Sequence, residues 1–113
     1  MAEMINDLHE RLVMEIRGST GRDHRKLANN TYGRIDGDCV TIRLHNTDIA
    51  EIWSESAEYN TGGWFTVTTK QRINHYLPQG WRVHSERSIW YLTENHGKRS
   101  RFYDGITLSD TTE

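Results

Sequence analysis

The spacing of apolar residues changes once along this chain, and that change decides what the chain can fold into. Between Ile5 and Ile16 the apolar side chains recur at the spacing of one face of an α-helix. From Thr31 onward they alternate with polar residues, as in the run from Val40 to Leu44, which is typical of a β-strand with one buried face. A helical segment followed by alternating segments predicts an α+β fold.

The helical segment is predicted to cover residues 3–17, because Gly18 and Gly21 follow it as a stop signal. Its apolar stripe consists of Ile5, Leu8, Leu12, Val13 and Ile16. Such a stripe needs cover, either from the rest of the fold or from a second copy of the chain in a homodimer through residues 3–17. We therefore treat residues 1–20 as an N-terminal helical arm and residues 21–113 as a single α+β domain.

Strands and one short helix are predicted for the remainder of the chain. Residues 32–35 and 40–44 form a hairpin around a turn at Asp36-Gly37-Asp38. Further strand-like segments lie at residues 47–53, 59–67, 81–83, 89–92 and 102–103. A threonine cap and a later Pro-Gln-Gly stop predict a helix at about residues 68–77, packed on an antiparallel sheet of five or six strands. The charged residues 21–30 are expected to form an exposed connection or one short helical turn.

The composition favours one globular domain without a metal or a cofactor. The chain has 113 residues, 35% of them hydrophobic, which suffices for a single core. Cys39 is the only cysteine, so neither an intrachain disulfide nor a cysteine-based zinc site can form. The six histidines lack the spacing of metal-binding motifs. The N-terminal residues are polar and no run approaches the ~18 apolar residues of a membrane helix, so we expect a cytoplasmic protein.

Several motifs of the chain resemble a family of small bacteriophage and prophage proteins over roughly residues 26–108. The most specific one reads Gly62-Gly63-Trp64-x-Thr66-Val67-Thr68-Thr69-Lys70-x-Arg72-Ile73-Asn74. Others are Lys26-Leu27-x-x-Asn30-Thr31-Tyr32 and Phe102-x-Asp104-Gly105-Ile106. The resemblance implies a phage or prophage origin, a compact α+β domain and a location in the host cytoplasm, and it carries over no catalytic residue. Phage origin favours a small protein that binds host machinery or nucleic acid.

Charge is unevenly distributed, although the net charge is only -2. Residues 61–103 carry seven basic and two acidic side chains, whereas residues 1–60 carry seven basic and eleven acidic ones. Such a basic segment favours phosphate or an acidic partner. The candidate anion-binding residues are Thr69, Lys70, Arg72, Arg82, Lys98, Arg99 and Arg101. Alternatively, these cations are spread over several faces and the threonines only cap the helix.

The candidate anion-binding site is the start of the helix predicted at residues 68–77. Free N–H groups and the helix dipole favour a phosphate there, and Lys70 and Arg72 are expected in the first turn. The motif is not a phosphate-wrapping loop of the Walker type, because its glycines precede the strand-like residues.

Aromatic residues are interleaved with the basic ones and form a second group of candidates. Trp64, Trp90, Tyr91 and Tyr103 are the aromatic residues expected to stack on bases or to contact a partner protein. Trp90 and Tyr91 are neighbours in a strand, so they point to opposite faces and at least one large aromatic is exposed. The alternative is that Trp64, Trp81 and one of Trp90 or Tyr91 supply the core.

Histidines suggest an enzyme as a further alternative. His45 follows Arg43 and His84 follows Arg82 with strand spacing, so two imidazoles beside two guanidiniums would suit cleavage of phosphodiesters. No nucleophile lies next to an evident base, however, and we assign no catalytic residue. The sequence favours a phage accessory protein that binds a host protein or nucleic acid, including a role against host defence, over an enzyme or a purely structural protein.

Overall fold

The structure, a computed structural model, describes residues 3–109. Within these residues there are two helices, α1 (Ile5–Arg17) and α2 (Val67–His75). Nine strands accompany them: β1 (His24–Ala28), β2 (Thr31–Asp36), β3 (Cys39–Leu44), β4 (Thr47–Ile52), β5 (Ser56–Tyr59), β6 (Arg82–Glu86), β7 (Ile89–Thr93), β8 (Arg99–Arg101) and β9 (Ile106–Ser109). The predicted α+β class is confirmed.

The strands form two antiparallel sheets, where the sequence predicts one. The larger sheet has six strands in the order β1-β2-β3-β4-β5-β9, and the smaller has three in the order β6-β7-β8. The last strand, β9, returns to pair with β5, with Tyr59 opposite Ile106. Helix α2 separates the two sheets along the chain and contacts both β4 and β6. It therefore lies between them and takes part in a shared core.

Helix α1 covers the inner face of the six-stranded sheet. Its apolar stripe is buried within the chain's own fold: Ile5, Leu8, Leu12 and Ile16. Gly33 in β2 permits close approach, because a Cβ at this position would lie 2.8 Å from Cδ1 of Ile16. Met14 lies on the opposite face of the helix and is exposed. A homodimer through residues 3–17 remains a prediction and would have to use that outer face.

A cluster around Glu3 fixes the start of α1. The Glu3 carboxylate accepts hydrogen bonds from Nε of Arg11 at 2.9 Å and from the backbone N–H of Gln79 at 3.0 Å. The Glu3 N–H donates to the Gln79 carbonyl at 3.0 Å. The bond from Arg11 is the main cause that lowers the pKa of Glu3 below its ordinary value. The helix is thereby tied to the loop that follows α2.

Three local predictions are wrong. Residues 24–28 form the edge strand β1 rather than a connection, because a charged edge strand lacks the apolar alternation that marks a buried one. The strand predicted at residues 59–67 ends at Tyr59, since Gly62 and Gly63 adopt positive φ angles of 65° and 91°. Residues 102–103 lie between β8 and β9, outside both strands.

Among the described residues, no helix is both long enough and apolar enough to span a membrane.

Candidate functional site

The outer face of the three-stranded sheet brings together most of the predicted basic residues. In the antiparallel register, Arg82 lies opposite Thr93, and Thr93 lies opposite Arg99. In the next row on the same face, His84 pairs with Tyr91, which pairs with Arg101. Residues that are paired across strands, and those two apart along a strand, project from the same side of the sheet. Three arginines, a histidine and a tyrosine therefore share one face, which we call the basic face.

Burial confirms which side of this sheet faces solvent. Val83, Trp90 and Leu92 alternate with the residues of the basic face and are buried against the core. By contrast, each side chain of the basic face is exposed or half-buried: Arg82, His84, Glu86, Ile89, Tyr91, Thr93, Arg99 and Arg101. The face is thus accessible to a ligand.

Ordered contacts fix the centre of the basic face. Cζ of Arg99 lies 3.8 Å from the ring centroid of Tyr91, which is within the range of a cation–π interaction. Nη1 of Arg99 also donates to Oε2 of Glu86 at 3.2 Å, and this pair is the main cause that raises the pKa of Arg99. The imidazole of His84 lies 5.9 Å from the Tyr91 ring, and its Nε2 lies 2.8 Å from Oγ1 of Thr93. Arg99, Tyr91 and His84 therefore form one cluster of contacting side chains in the middle of the face.

The charge balance distinguishes this face from the outer face of the six-stranded sheet. Among the described residues, the basic face holds three arginines and a single carboxylate, that of Glu86. The outer face of the larger sheet also carries cations, but four carboxylates offset them: Asp36, Asp48, Glu51 and Glu58. One of these, Asp48, accepts a hydrogen bond from Arg43 at 2.8 Å. The balance of charged residues on the basic face is therefore more positive than that on the outer face of the larger sheet.

The residues predicted at the helix N-terminus lie outside the basic face and make internal contacts. Thr69 is buried, and its N–H donates to the side chain of Thr66, which is the N-cap of α2. Lys70 donates to Oγ of Ser85 at 2.9 Å. Arg72 lies in the last turn of α2 rather than in the first, and it donates to Oγ1 of Thr31 at 2.9 Å. Lys70 and Arg72 therefore connect α2 to the two sheets, whereas Thr69 takes part in the cap of the helix. The three side chains do not form one anion-binding site.

The predicted aromatic residues separate into exposed and buried ones. Trp64 and Tyr103 are 65% and 60% exposed, and Tyr91 lies on the basic face. Trp90 is only 7% exposed, so the expectation that it contacts a partner is wrong. It occupies the inner side of β7, where its ring packs 5.6 Å from that of Phe102. Its place in the strand alternation, opposite in direction to Tyr91, makes it a core residue.

The two histidines of the enzyme alternative are not in one site. His45 lies in the turn between β3 and β4, with a φ of 54°, whereas His84 lies in β6 of the other sheet. The groove that His45 lines does not include His84. Within residues 3–109, no three His, Cys, Asp or Glu side chains are grouped where they could bind a metal ion. His45 and His84 therefore do not form an acid and base pair for phosphodiester cleavage.

A groove of about 480 Å³ is the second feature of interest. It lies between the β3–β4 turn and the start of α2, and its lining combines hydroxyl groups with apolar surface. The lining residues are Leu44, His45, Asn46, Thr47, Ile49, Thr61, Trp64, Thr66, Thr68 and Thr69. This cavity is of the size that takes a small ligand.

Sequence reasoning missed two exposed apolar residues next to Trp64. Phe65 is 52% and Val67 is 65% exposed. Alternation made residues 59–67 resemble a strand, and the Gly62-Gly63 pair was the signal that the segment is a loop. The basic face itself depends on the strand register, which the residue types alone do not determine.

The comparisons with known proteins give a family. Neither the search of curated proteins nor the search of solved structures found a match. The family model described as Kyanoviridae Gp96 protein matches residues 7–109, which is nearly all of the chain and includes both sheets and the groove. The sequence resemblance to phage proteins is thereby supported at the level of the family. The chain belongs to the Kyanoviridae Gp96 protein family, a family of phage proteins.

Proposed function

We propose that this protein is a phage accessory protein that binds single-stranded nucleic acid weakly and without sequence preference, through the basic face. One observation carries the proposal: the register of β6, β7 and β8 places Arg82, Arg99 and Arg101 on one accessible face beside Tyr91 and His84. Clustered cations bind the phosphate backbone, and flat side chains stack on bases. The basic face supplies both kinds of group.

The individual side chains have different roles in this proposal. Arg82 and Arg101 are exposed and have no carboxylate partner among the described residues, so they are suited to phosphate oxygens. Arg99 forms an ion pair with Glu86 and lies over the ring of Tyr91. Guanidinium groups stack on bases, so Arg99 is suited to contact a base. Lys98 is exposed in the turn before β8 and adds a further cation at the edge.

The expected affinity is low and depends strongly on salt. Two or three phosphate contacts, at a slope of about -0.7 per contact for single strands, reduce binding roughly 5- to 20-fold between 50 and 200 mM salt. The net charge of -2 opposes long-range attraction of a polyanion. Binding is therefore expected at low salt and should be weak at physiological salt.

Fluorescence anisotropy with a labelled 15-nucleotide single strand, as RNA and as DNA, tests the proposal. The double variant Arg82→Glu/Arg101→Glu should lose binding at 50 mM salt. The matched control is Lys26→Glu/Arg34→Glu, which makes the same charge change on exposed residues of β1 and β2. If the control reduces binding as much as the test variant does, net charge rather than the basic face is responsible. Binding that is undiminished in half-molar salt would contradict the proposal.

A host protein is the second candidate partner, because of the exposed apolar residues. Trp64, Phe65 and Val67 lie close together in sequence and more than half of each is exposed. Exposed apolar residues of this size are typical of protein contacts. Capture from host lysate that resists nuclease and is lost in Trp64→Ser/Phe65→Ser would support this candidate, including a role against host defence. Capture that nuclease abolishes, and that both serine substitutions leave intact, would exclude it.

A further inference from the structure

The groove between the β3–β4 turn and α2 has polar groups that are open to a ligand. Among the described residues, the side chains of His45, Asn46 and Thr47 on one wall form no hydrogen bond. The same holds for the Thr68 hydroxyl on the opposite wall. Hydroxyl, amide and imidazole groups each provide a donor and an acceptor. The groove therefore presents hydrogen-bonding groups of both kinds on two sides.

The lining carries no fixed charge. Of the described residues that line the groove, His45 alone is ionisable, and the others are threonines, an asparagine and apolar residues. An anionic ligand would need cations, and a cationic ligand would need carboxylates. The chemistry of the lining thus favours a neutral ligand that carries several polar groups.

Trp64 supplies an apolar platform at the edge of this groove. Its indole is 65% exposed although the residue lines the cavity. A ring with apolar C–H groups on its faces and hydroxyls around its edge would place a face on the indole and the hydroxyls toward the threonines. Sugar rings have this distribution of polar and apolar groups.

The walls of the groove are held in place by contacts of Thr61 and Thr47 with neighbouring residues. The Asp104 carboxylate accepts from the N–H of Thr61 at 2.6 Å and from its hydroxyl at 3.0 Å. Gly62 lies so close to Thr47 that a Cβ on it would be 2.7 Å from Cγ2 of that threonine. A cavity that is formed in advance binds with less loss of conformational entropy.

We propose that this groove is a binding site for a neutral sugar, stacked on Trp64 and hydrogen-bonded by Asn46, Thr47 and Thr68. The site is separate from the basic face, so the proposal of sugar binding does not depend on nucleic-acid binding. Few direct contacts and an open rim predict a dissociation constant in the millimolar range.

Two-dimensional 15N NMR tests the proposal, because each tryptophan Nε1–H gives its own signal. The spectrum of Trp64→Phe identifies the Trp64 signal. A panel of neutral mono- and disaccharides at 100 mM should shift the signal of Trp64 and the amides of residues 45–47, and should leave the signals of Trp53, Trp81 and Trp90 unchanged. Glycerol at the same hydroxyl concentration controls for a solvent effect.

Variants of exposed groove residues test whether these side chains bind the sugar. Asn46→Ala and Trp64→Ala alter exposed side chains and should each raise the dissociation constant at least fivefold. Thr107→Val is the matched control, since Thr107 is exposed in β9 outside the groove, and it should bind as the unaltered chain does. The proposal is overturned if no sugar of the panel shifts the Trp64 signal, if glycerol shifts it equally, or if the groove variants bind like Thr107→Val. A nucleoside that shifts Trp64 where all sugars fail would also overturn it and would identify a base site instead.

Discussion

The side-chain amide of Asn74 pairs with both backbone polar groups of Val83. Nδ2 of Asn74 donates to the Val83 carbonyl at 2.8 Å, and the Val83 N–H donates to Oδ1 of Asn74 at 2.7 Å. Asn74 lies in α2 and Val83 in β6, which is an edge strand of its sheet within residues 3–109. The amide therefore continues the hydrogen bonding of this edge. This pair attaches the three-stranded sheet to the helix.

Asn74→Ala should lower the free energy of unfolding by about 2–3 kcal/mol, because it leaves the N–H and the carbonyl of Val83 without a partner. Urea denaturation followed by circular dichroism measures the change. Asn74→Asp retains the acceptor but loses the donor, and should be destabilising too. An unchanged urea midpoint for Asn74→Ala would show that water replaces the amide at no cost.

Glu3→Gln should destabilise the protein at neutral pH by about 1 kcal/mol, through weaker bonds to Arg11 and Gln79. The lowered pKa of Glu3 means that its contribution is present above the unfolded-state value of about 4.5 and is lost as the pH falls through the folded-state value. The difference in free energy of unfolding between the unaltered chain and Glu3→Gln should therefore be smaller at pH 3 than at pH 7. Urea denaturation at both pH values measures it. Glu10→Gln, at an exposed position of α1, is the control and should have little effect at either pH.

Gly33→Ala should lower the free energy of unfolding by about 1–3 kcal/mol, because its methyl group would overlap Ile16 and Leu27. Ile16→Ala alone should cost about 2–5 kcal/mol by leaving a cavity. The two changes combined should cost less than their sum, since each compensates the volume change of the other. Thermal and urea denaturation of the four proteins of this cycle provide the values. Strict additivity would mean that α1 moves away from β2 rather than retaining its position.

Glu86→Gln should strengthen nucleic-acid binding two- to threefold at 50 mM salt. The substitution removes the carboxylate of the basic face and releases Arg99 from its ion pair. The salt dependence should become steeper at the same time. Glu51→Gln, on the outer face of the six-stranded sheet, is the matched control in the anisotropy assay. Weaker binding by Glu86→Gln would instead show that Glu86 is needed to hold Arg99 over the ring of Tyr91.

The sequence was sufficient to predict those elements that are marked by a local pattern of residues. The hairpin of β2 and β3 followed from alternation on both sides of Asp36-Gly37-Asp38, and its register, with Ile35 opposite Val40, agrees with that turn. Helix α1 followed from its apolar stripe. Strand β1 could not be found in this way, because His24, Arg25 and Lys26 are all exposed at a sheet edge.

The sequence alone did not predict the features that depend on pairing between distant segments of the chain. Nothing local to Ile106 indicates that β9 pairs with β5, or that β6 to β8 form a sheet of their own. The basic residues of the candidate site were identified by type, but only the register separates Arg82, Arg99 and Arg101 from Arg72, which contacts Thr31. Whether an arginine is a ligand or a structural connector depends on its neighbours across strands.

The pairing of β5 with β9 has a consequence for how the protein is made. Ile106 and Leu108 complete the core beside Tyr59 and Ala57, some fifty residues earlier in the chain. A ribosome adds residues one after another, so the edge of β5 and the apolar side chains beneath it stay open until residue 109 has left the exit tunnel. The six-stranded sheet is therefore completed only after about fifty further residues have been added beyond β5. Until then, the folded part of the nascent chain consists of the β1–β4 meander and α1.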